Sequence, residues 1–257
     1  MSAPHAPSLL YLWESRTLFL GRLLEPLQLS QAAATFIISL DEPLHVHADS
    51  SGFRCQSILL PPSYSVSINS GDSCVANCYL DPFGEDFHLL RQRMRQSRGR
   101  VACSIDNEVE LIAQFRAMHL RAPSSADAHA EVDGIIRPAD RPPYFVDPRI
   151  ERTVDLIKQT VGENLSVAQL AAHVSLSAPR LTQLFRQQIG VPIRRYRQWH
   201  RLYVTATGVA AGLSLTDASV AAGFTDSSHF SHTFRDMLGM KPSEILAHPD
   251  RIRLFTG

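Results

Sequence analysis

The sequence predicts a two-domain α+β chain: an N-terminal β-sandwich or barrel followed by helices, then an all-α domain. Three observations carry this. The apolar spacing changes near Pro82 from short alternating runs to a helical period. The stretch Leu165–Glu244 says one thing twice, at an offset of 48 to 49 residues. The two halves also carry opposite charge: 12 Lys/Arg against 17 Asp/Glu over 1–148, and 13 against 8 over 149–257.

Taken in order, residues Met1 to about Glu14 carry Pro and Ala and read as loose. From Thr17 to Leu80, runs such as Thr35–Leu40, Ser57–Leu60, Ser65–Ile68 and Ala76–Leu80 are short and apolar or alternating. Turn residues separate them, including Asp41-Glu-Pro43, Pro61-Pro62 and Asn69-Ser-Gly71, so several closely spaced strands are expected. Next, Phe87, Leu90 and Met94, and then Val109, Ile112, Phe115 and Met118, recur at three or four, predicting two amphipathic helices. Residues 122–145 are rich in Ala, Pro, Ser and Asp without periodicity and read as a linker.

The repeat follows. Ser166 with Gln169, and Ser214 with Asp217, have the spacing of helix N-caps, in which the serine oxygen accepts an orphan backbone N–H. Small residues, Ala171 and Ser219, stand where two helices must approach closely. Leu181, Leu184 and Phe185 recur at helical spacing in the first copy, Phe224, Phe230 and Phe234 in the second. Gly190 and Gly239 stand where a second helix would end. Each copy is a helix-turn-helix pattern, the unit that lays its second helix in the DNA major groove. Between the copies, Pro192 to about Gly212 reads as one helix with Ile193, Tyr196, Trp199, Leu202 and Tyr203 on one stripe. Such a strut of about 20 residues spans roughly 30 Å, close to the roughly 34 Å of one DNA turn.

Gly223-Phe224, Ser228-His229-Phe230-Ser231, Phe234, Gly239, Pro242-Ser243-Glu244 and Arg201-Leu202 make this segment resemble the DNA-binding domain of the AraC/XylS family of bacterial transcription regulators. Two departures stand out: Gly208 where the family strut usually has leucine, and Ser175 where the first turn usually has glycine. The N-terminal half resembles the family's degenerate cupin-like sensor domain, including its Tyr79-Leu80-Asp81-Pro82 exit. The resemblance implies a sensor and dimerisation domain at 1–121, a linker at 122–145 and the double helix-turn-helix domain at 146–257. It implies a transcription regulator, commonly an activator in contact with RNA polymerase, that binds double-stranded DNA, forms a homodimer and responds to a small effector. No catalytic residue and no cofactor is expected.

An alternative, a cupin-type metalloenzyme with an appended helical domain, needs a metal site. His45 and His47 share a strand face, but the glutamate that the pattern wants is replaced by Ser50 and Ser51, so they read as ordinary strand histidines. A third reading uses the helical domain as a protein-interaction scaffold. No apolar run is long enough to span a bilayer and no signal-peptide pattern opens the chain, so a cytoplasmic location is expected. There Cys55, Cys74, Cys78 and Cys103 would stay reduced as small buried thiols.

Helical geometry then assigns the DNA-facing positions. With Leu181, Leu184 and Phe185 inward, Pro179, Arg180, Thr182, Gln183 and Arg186 face outward; with Phe230 and Phe234 inward, Ser227, Ser228, His229, Ser231 and His232 do. The resemblance places base readers at Thr182, Gln183, Ser228, His229 and His232. Candidate phosphate contacts are Ser166, Arg194, Arg195, Arg201 and Arg235, the basic cluster at the strut's start supplying most of them.

Overall fold

The computed structural model describes residues 7–23, 25–30, 33–48, 51–137, 144–238, 242 and 252–257. Two sheets form the N-terminal half, antiparallel throughout except where the C-terminal strand, Ile252–Thr256, pairs in parallel with Ser8–Leu12. The larger sheet runs β10-β11-β7-β4-β9-β2-β1-β12, with β1 Ser8–Leu12, β2 Arg16–Arg22, β4 Ala34–Ser39, β7 Ser57–Leu60, β9 Cys74–Leu80, β10 Met94–Arg98, β11 Val101–Ile105 and β12 Ile252–Thr256. The smaller runs β3-β8-β5-β6, with β3 Leu27–Ser30, β5 Leu44–Ala48, β6 Ser51–Cys55 and β8 Ser65–Asn69.

Burial explains the two textures. Strand β4 is buried along its whole length, because the large sheet is covered on both faces. One face packs on the small sheet through Ile37, Ile58, Val46 and Ile68; the other packs on helices through Phe36, Leu59, Phe115 and Val132. Strand β5 alternates buried and exposed, because its outer face meets water. His45 and His47 lie on that exposed face, away from the core.

Three sequence expectations change here. Residues 8–12, read as loose, are strand β1, paired with β2 on one side and β12 on the other; Leu9-Leu-Tyr-Leu-Trp13 is a continuous apolar run that a two-faced strand wants. The two helices expected over Phe87–Met118 are α1 Asp86–Arg93 and α2 Glu108–Arg121, but the β10–β11 hairpin separates them. Within 122–145, expected to be an irregular linker, Ser125–Ile136 is helix α3, capped by Ser124 and buried through Ala128, Val132 and Ile136; residues 138–143 lie outside the described residues. A buried ionic network fixes α3 there, with Arg16 Nη2 donating to Asp86 Oδ1 (3.0 Å) and to Asp133 Oδ1 (2.9 Å).

The helical half comprises α4 Pro148–Gln159, α5 Val167–His173, α6 Ala178–Ile189, α7 Ile193–Ala210, α8 Leu215–Ala221 and α9 Ser227–Leu238. The strut α7 is continuous through Gly208, and the reason for that glycine is visible. A Cβ there would lie 3.2 Å from Ala218 Cβ, so its absence lets α8 pack directly on the strut. Gly239 and Pro242-Ser243-Glu244 lie outside the described residues, apart from Pro242. No described helix is long and apolar enough to cross a membrane.

Candidate nucleic-acid interface

Both copies of the repeat build the same local structure. Ser166 caps α5 and forms a capping box with Gln169; Ser214 caps α8 by accepting from the Asp217 N–H. At the turn after α5, the Leu176 N–H donates to Ala171 O (2.9 Å); at the turn after α8, the Phe224 N–H donates to Ser219 O (3.0 Å). The turning residue is left-handed in each, Ser175 at φ 55° and Gly223 at φ 90°. The second helices are capped too: Ser177 Oγ accepts from the Arg180 N–H (3.4 Å), and Asp226 Oδ1 from the His229 N–H (2.7 Å).

The two helices expected to read DNA, α6 and α9, turn their apolar sides inward. Leu181, Leu184, Phe185 and Ile189 are buried on α6; Phe230, Thr233, Phe234, Met237 and Leu238 on α9. On the opposite sides, Pro179, Arg180, Thr182, Gln183 and Arg186 are exposed, as are Ser228, His229, His232 and Arg235; Ser227 and Ser231 are half-buried. Local bonds pre-set several of these groups. Arg180 Nη1 donates to Gln183 Oε1 (2.9 Å), leaving the Gln183 amide N–H groups outward. Thr182 Oγ1 donates to Ala178 O, and Ser231 Oγ to Ser227 O, so each hydroxyl keeps its lone pairs for an incoming donor. The Phe224 ring holds His229 edge-on at 5.3 Å.

The basic residues divide. Arg194 and Arg235 are exposed. Arg195 Nη1 pairs with Asp236 Oδ2 at 2.6 Å, joining the strut to α9. Arg201 is committed inside: it donates to Val161 O, Glu163 O and Asn164 Oδ1 at 2.9 to 3.2 Å. It also fills the space over Gly223, where a Cβ would come within 2.8 Å of Arg201 Nη2 and of Val161 O. A half-buried guanidinium with three acceptors is a bracket for the strut. The Arg-Leu pair in the sequence therefore marks packing as well as charge. Ser166 stays exposed at its cap, where it also donates to Gln169 Oε1.

Sequence reasoning missed how this half meets the sheets. Phe224, Phe230, Phe234, Met237 and Leu238 share one continuous core with Leu27, Val46, Ile68 and Tyr79 of the sheets. Tyr79 Oη donates to Leu238 O at 3.1 Å while accepting from Asn77 Nδ2. The first unit instead has its own core of Ile150, Val154, Leu170, Leu181, Phe185 and Tyr196. Its link to the sheets is polar. Lys158 Nζ lies 2.9 Å from Glu14 Oε1 and 3.8 Å from Asp81 Oδ2, and Tyr196 Oη donates to Asp81 Oδ2 at 3.5 Å. Burial pushes the Asp81 carboxyl up to about 6 and, with the Lys158 charge, holds His200 down to about 4.

Cys55 and Cys103 lie together, sharing a hydrogen bond, whereas Cys74 and Cys78 stand four residues apart on one face of β9 and pack against the same core. No group of three or more His, Cys, Asp or Glu among the described residues is arranged to hold a metal.

A family model described as a helix-turn-helix domain matches residues 170–248. The chain is 33% identical to the arabinose operon regulatory protein of Escherichia coli K12 over 108 residues, which cover 40% of this chain and 36% of that one. It is 25% identical over 158 residues to the transcriptional activator RhaR of Yersinia pseudotuberculosis, covering 61% of this chain and 50% of that one. The match thus spans about half or less of these relatives. Among solved structures, ToxT from Vibrio cholerae O395 shares the fold over 90% of this chain and 97% of its own, with a TM-score of 0.57 at 14% identity. These matches, on a repeat whose two turns close with the same hydrogen bond, assign residues 170–248 to a helix-turn-helix domain similar to that of the arabinose regulator and RhaR.

Proposed function

We propose that the chain is a sequence-specific DNA-binding transcription regulator that reads duplex DNA with α6 and α9. One observation carries the reading: two helix-turn-helix units, closed by equivalent hydrogen bonds, expose polar faces from either side of a continuous 18-residue strut. That strut is ~27 Å long at 1.5 Å per residue, a span suited to successive major-groove faces. Gln183, through its free amide, suits adenine or a carbonyl acceptor; Arg180, Arg186 and His232 suit guanine acceptors. Thr182, Ser228, His229 and Ser231 complete the base-facing set, with Pro179 and Ser227 at the helix openings. Arg194, Arg195 and Arg235, with Ser166, are assigned to phosphates, Arg195 by exchanging its Asp236 partner. Arg201 is assigned to holding the strut.

Control passes through the N-terminal domain. A solved ToxT of this fold is described as bound to an unsaturated fatty acid, which supports a small-molecule effector for this chain. Activation, contact with RNA polymerase and a homodimer belong to the same proposal. For the dimer, α2 leaves Val109 and Leu120 about four-fifths exposed beside Ala113 and Ala117. No observation favours the metalloenzyme alternative, since His45 and His47 sit on the solvent face of the small sheet. Fluorescence titration with genomic fragments at several salt concentrations tests the proposal. Binding that weakens with salt and discriminates among fragments supports it; salt-independent binding, as for a protein-interaction scaffold, contradicts it.

A further inference from the structure

The N-terminal half is acidic overall, yet five of its twelve basic residues fall within Arg91–Arg100, and residues 87–105 contain no Asp or Glu. This segment leaves α1, forms the edge strand β10 and turns into β11. Two of its arginines work internally. Arg93 is bonded to Asp106 and to Ile135 O, and Arg91 donates to Ser97 Oγ. The other three differ. Arg95, Arg98 and Arg100 are exposed, with no carboxylate partner among the described residues. Arg98 is held 5.0 Å over the Phe53 ring and Arg100 5.7 Å over the Tyr64 ring. Stacking fixes each guanidinium plane and leaves its N–H edges to water, the presentation suited to phosphate oxygens.

Charged side chains on an edge strand also deter sheet-to-sheet pairing, but that role places no demand on where the hairpin lies. Here its position has a consequence. Tyr64, under Arg100, belongs to the β7–β8 turn. Pro62 of the same turn sits 3.8 Å from where a Cβ on Gly190 would be. Gly190 ends α6, and α7 opens three residues later with exposed Arg194. One turn thus has the arginine hairpin on one side and the end of a recognition helix with its basic strut on the other.

We propose that the hairpin Arg95–Arg100 is a third DNA contact, binding backbone phosphates of the duplex flanking the segment that α6 reads. The proposal rests on the DNA-reading function above. The hairpin adds affinity without sequence preference, and couples the placement of the sensor domain to the length of DNA available.

The test uses the full chain carrying R95S, R98S and R100S together, three exposed substitutions. Binding is measured on two duplexes, one ending at the base pairs whose sequence wild type selects, the other extended by about 15 base pairs on each side. Wild type is expected to bind the longer duplex more tightly and with a steeper salt dependence. The difference in slope approaches 3 if all three arginines neutralise phosphates, roughly a six-fold extra loss on doubling the salt. The triple variant is expected to bind both duplexes equally, and the short one as wild type does. A variant that keeps the wild-type preference for the longer duplex overturns the proposal, as does one that loses equally on both. A variant with unchanged DNA binding that loses an acidic protein partner assigns the hairpin to that partner and also overturns it. If wild type binds neither duplex nor any genomic fragment, the DNA-reading function itself fails.

Discussion

The two helix-turn-helix units share a sequence pattern, a cap and a turn hydrogen bond, but they are seated differently. The first unit closes its own core and meets the sheets through charges, Lys158 with Glu14 and Asp81. The second has little core of its own: Phe230, Phe234 and Met237 are continuous with the interior between the sheets. A repeat therefore does not imply equal autonomy. The first unit can hold α6 by itself, whereas α9 of the second is oriented by the sheets, and whatever loosens the sheets reaches α9 first.

The largest expected effect separates the cores. Phe185→Ala and Phe230→Ala should each cost about 3–5 kcal/mol, as deletions of fully buried phenylalanines. Hydrogen exchange should tell them apart. Phe185→Ala is expected to loosen α4 to α7 and leave the sheets protected, whereas Phe230→Ala loosens α9 together with β3 and β8. Equal spread of exchange in both variants would erase the distinction.

A smaller effect follows from the turns. Gly223→Ser places a side chain in the left-handed region, at about 1–2 kcal/mol, and also displaces Arg201 and Val161 O, both within 2.8 Å of the new Cβ. The reverse exchange, Ser175→Gly, relieves a left-handed serine and should be neutral or stabilise by up to about 1 kcal/mol. Denaturant midpoints of the two variants check this, and a tolerated Gly223→Ser would remove Arg201 as the bracket.

The polar seam gives a pH signature. Asp81 is raised in the folded chain, so its contribution is fully present below the unfolded value near 3.8 and lost as pH rises through about 6. His200 is lowered, so its contribution is present above 6.5 and lost as pH falls through about 4. The two oppose one another on acidification. Asp81→Asn removes one arm, and its stability should fall by about 2 kcal/mol more than that of wild type between pH 6.5 and 4.5. Parallel pH profiles for the two proteins would show that Asp81 does not titrate in this way.

Much of this was legible. Caps, turns and apolar spacing placed α5, α6, α8 and α9 and the sides that face outward, because those signals are local. The seating of the second unit was not, since Phe230 and Phe234 look identical whether they fill their own core or a neighbour's. Helix α3 was hidden by its composition: Ala, Ser and Asp read as linker, yet Ala128, Val132 and Ile136 keep a spacing of four. Strand β1 was hidden because a strand buried on both faces does not alternate, and β12 because its partner lies more than 200 residues away. Arg201 illustrates a limit of charge counting: a basic cluster does not reveal which guanidinium faces inward.

The smallest effect concerns Arg194, exposed at the strut's start. Arg194→Ser should weaken DNA binding evenly across sequences and reduce the salt slope by about 1. An altered base preference would move Arg194 into the reading set.

The central claim, that α6 and α9 each read base pairs, is tested most directly by binding profiles of the full chain against randomised duplexes, with wild type beside Gln183→Ala and His232→Ala. Each variant should lose about 1–3 kcal/mol on the preferred sequence and relax preference at its own position, the two positions lying about one helical turn apart. Unchanged profiles in both variants, with folding intact, would contradict the two-helix reading.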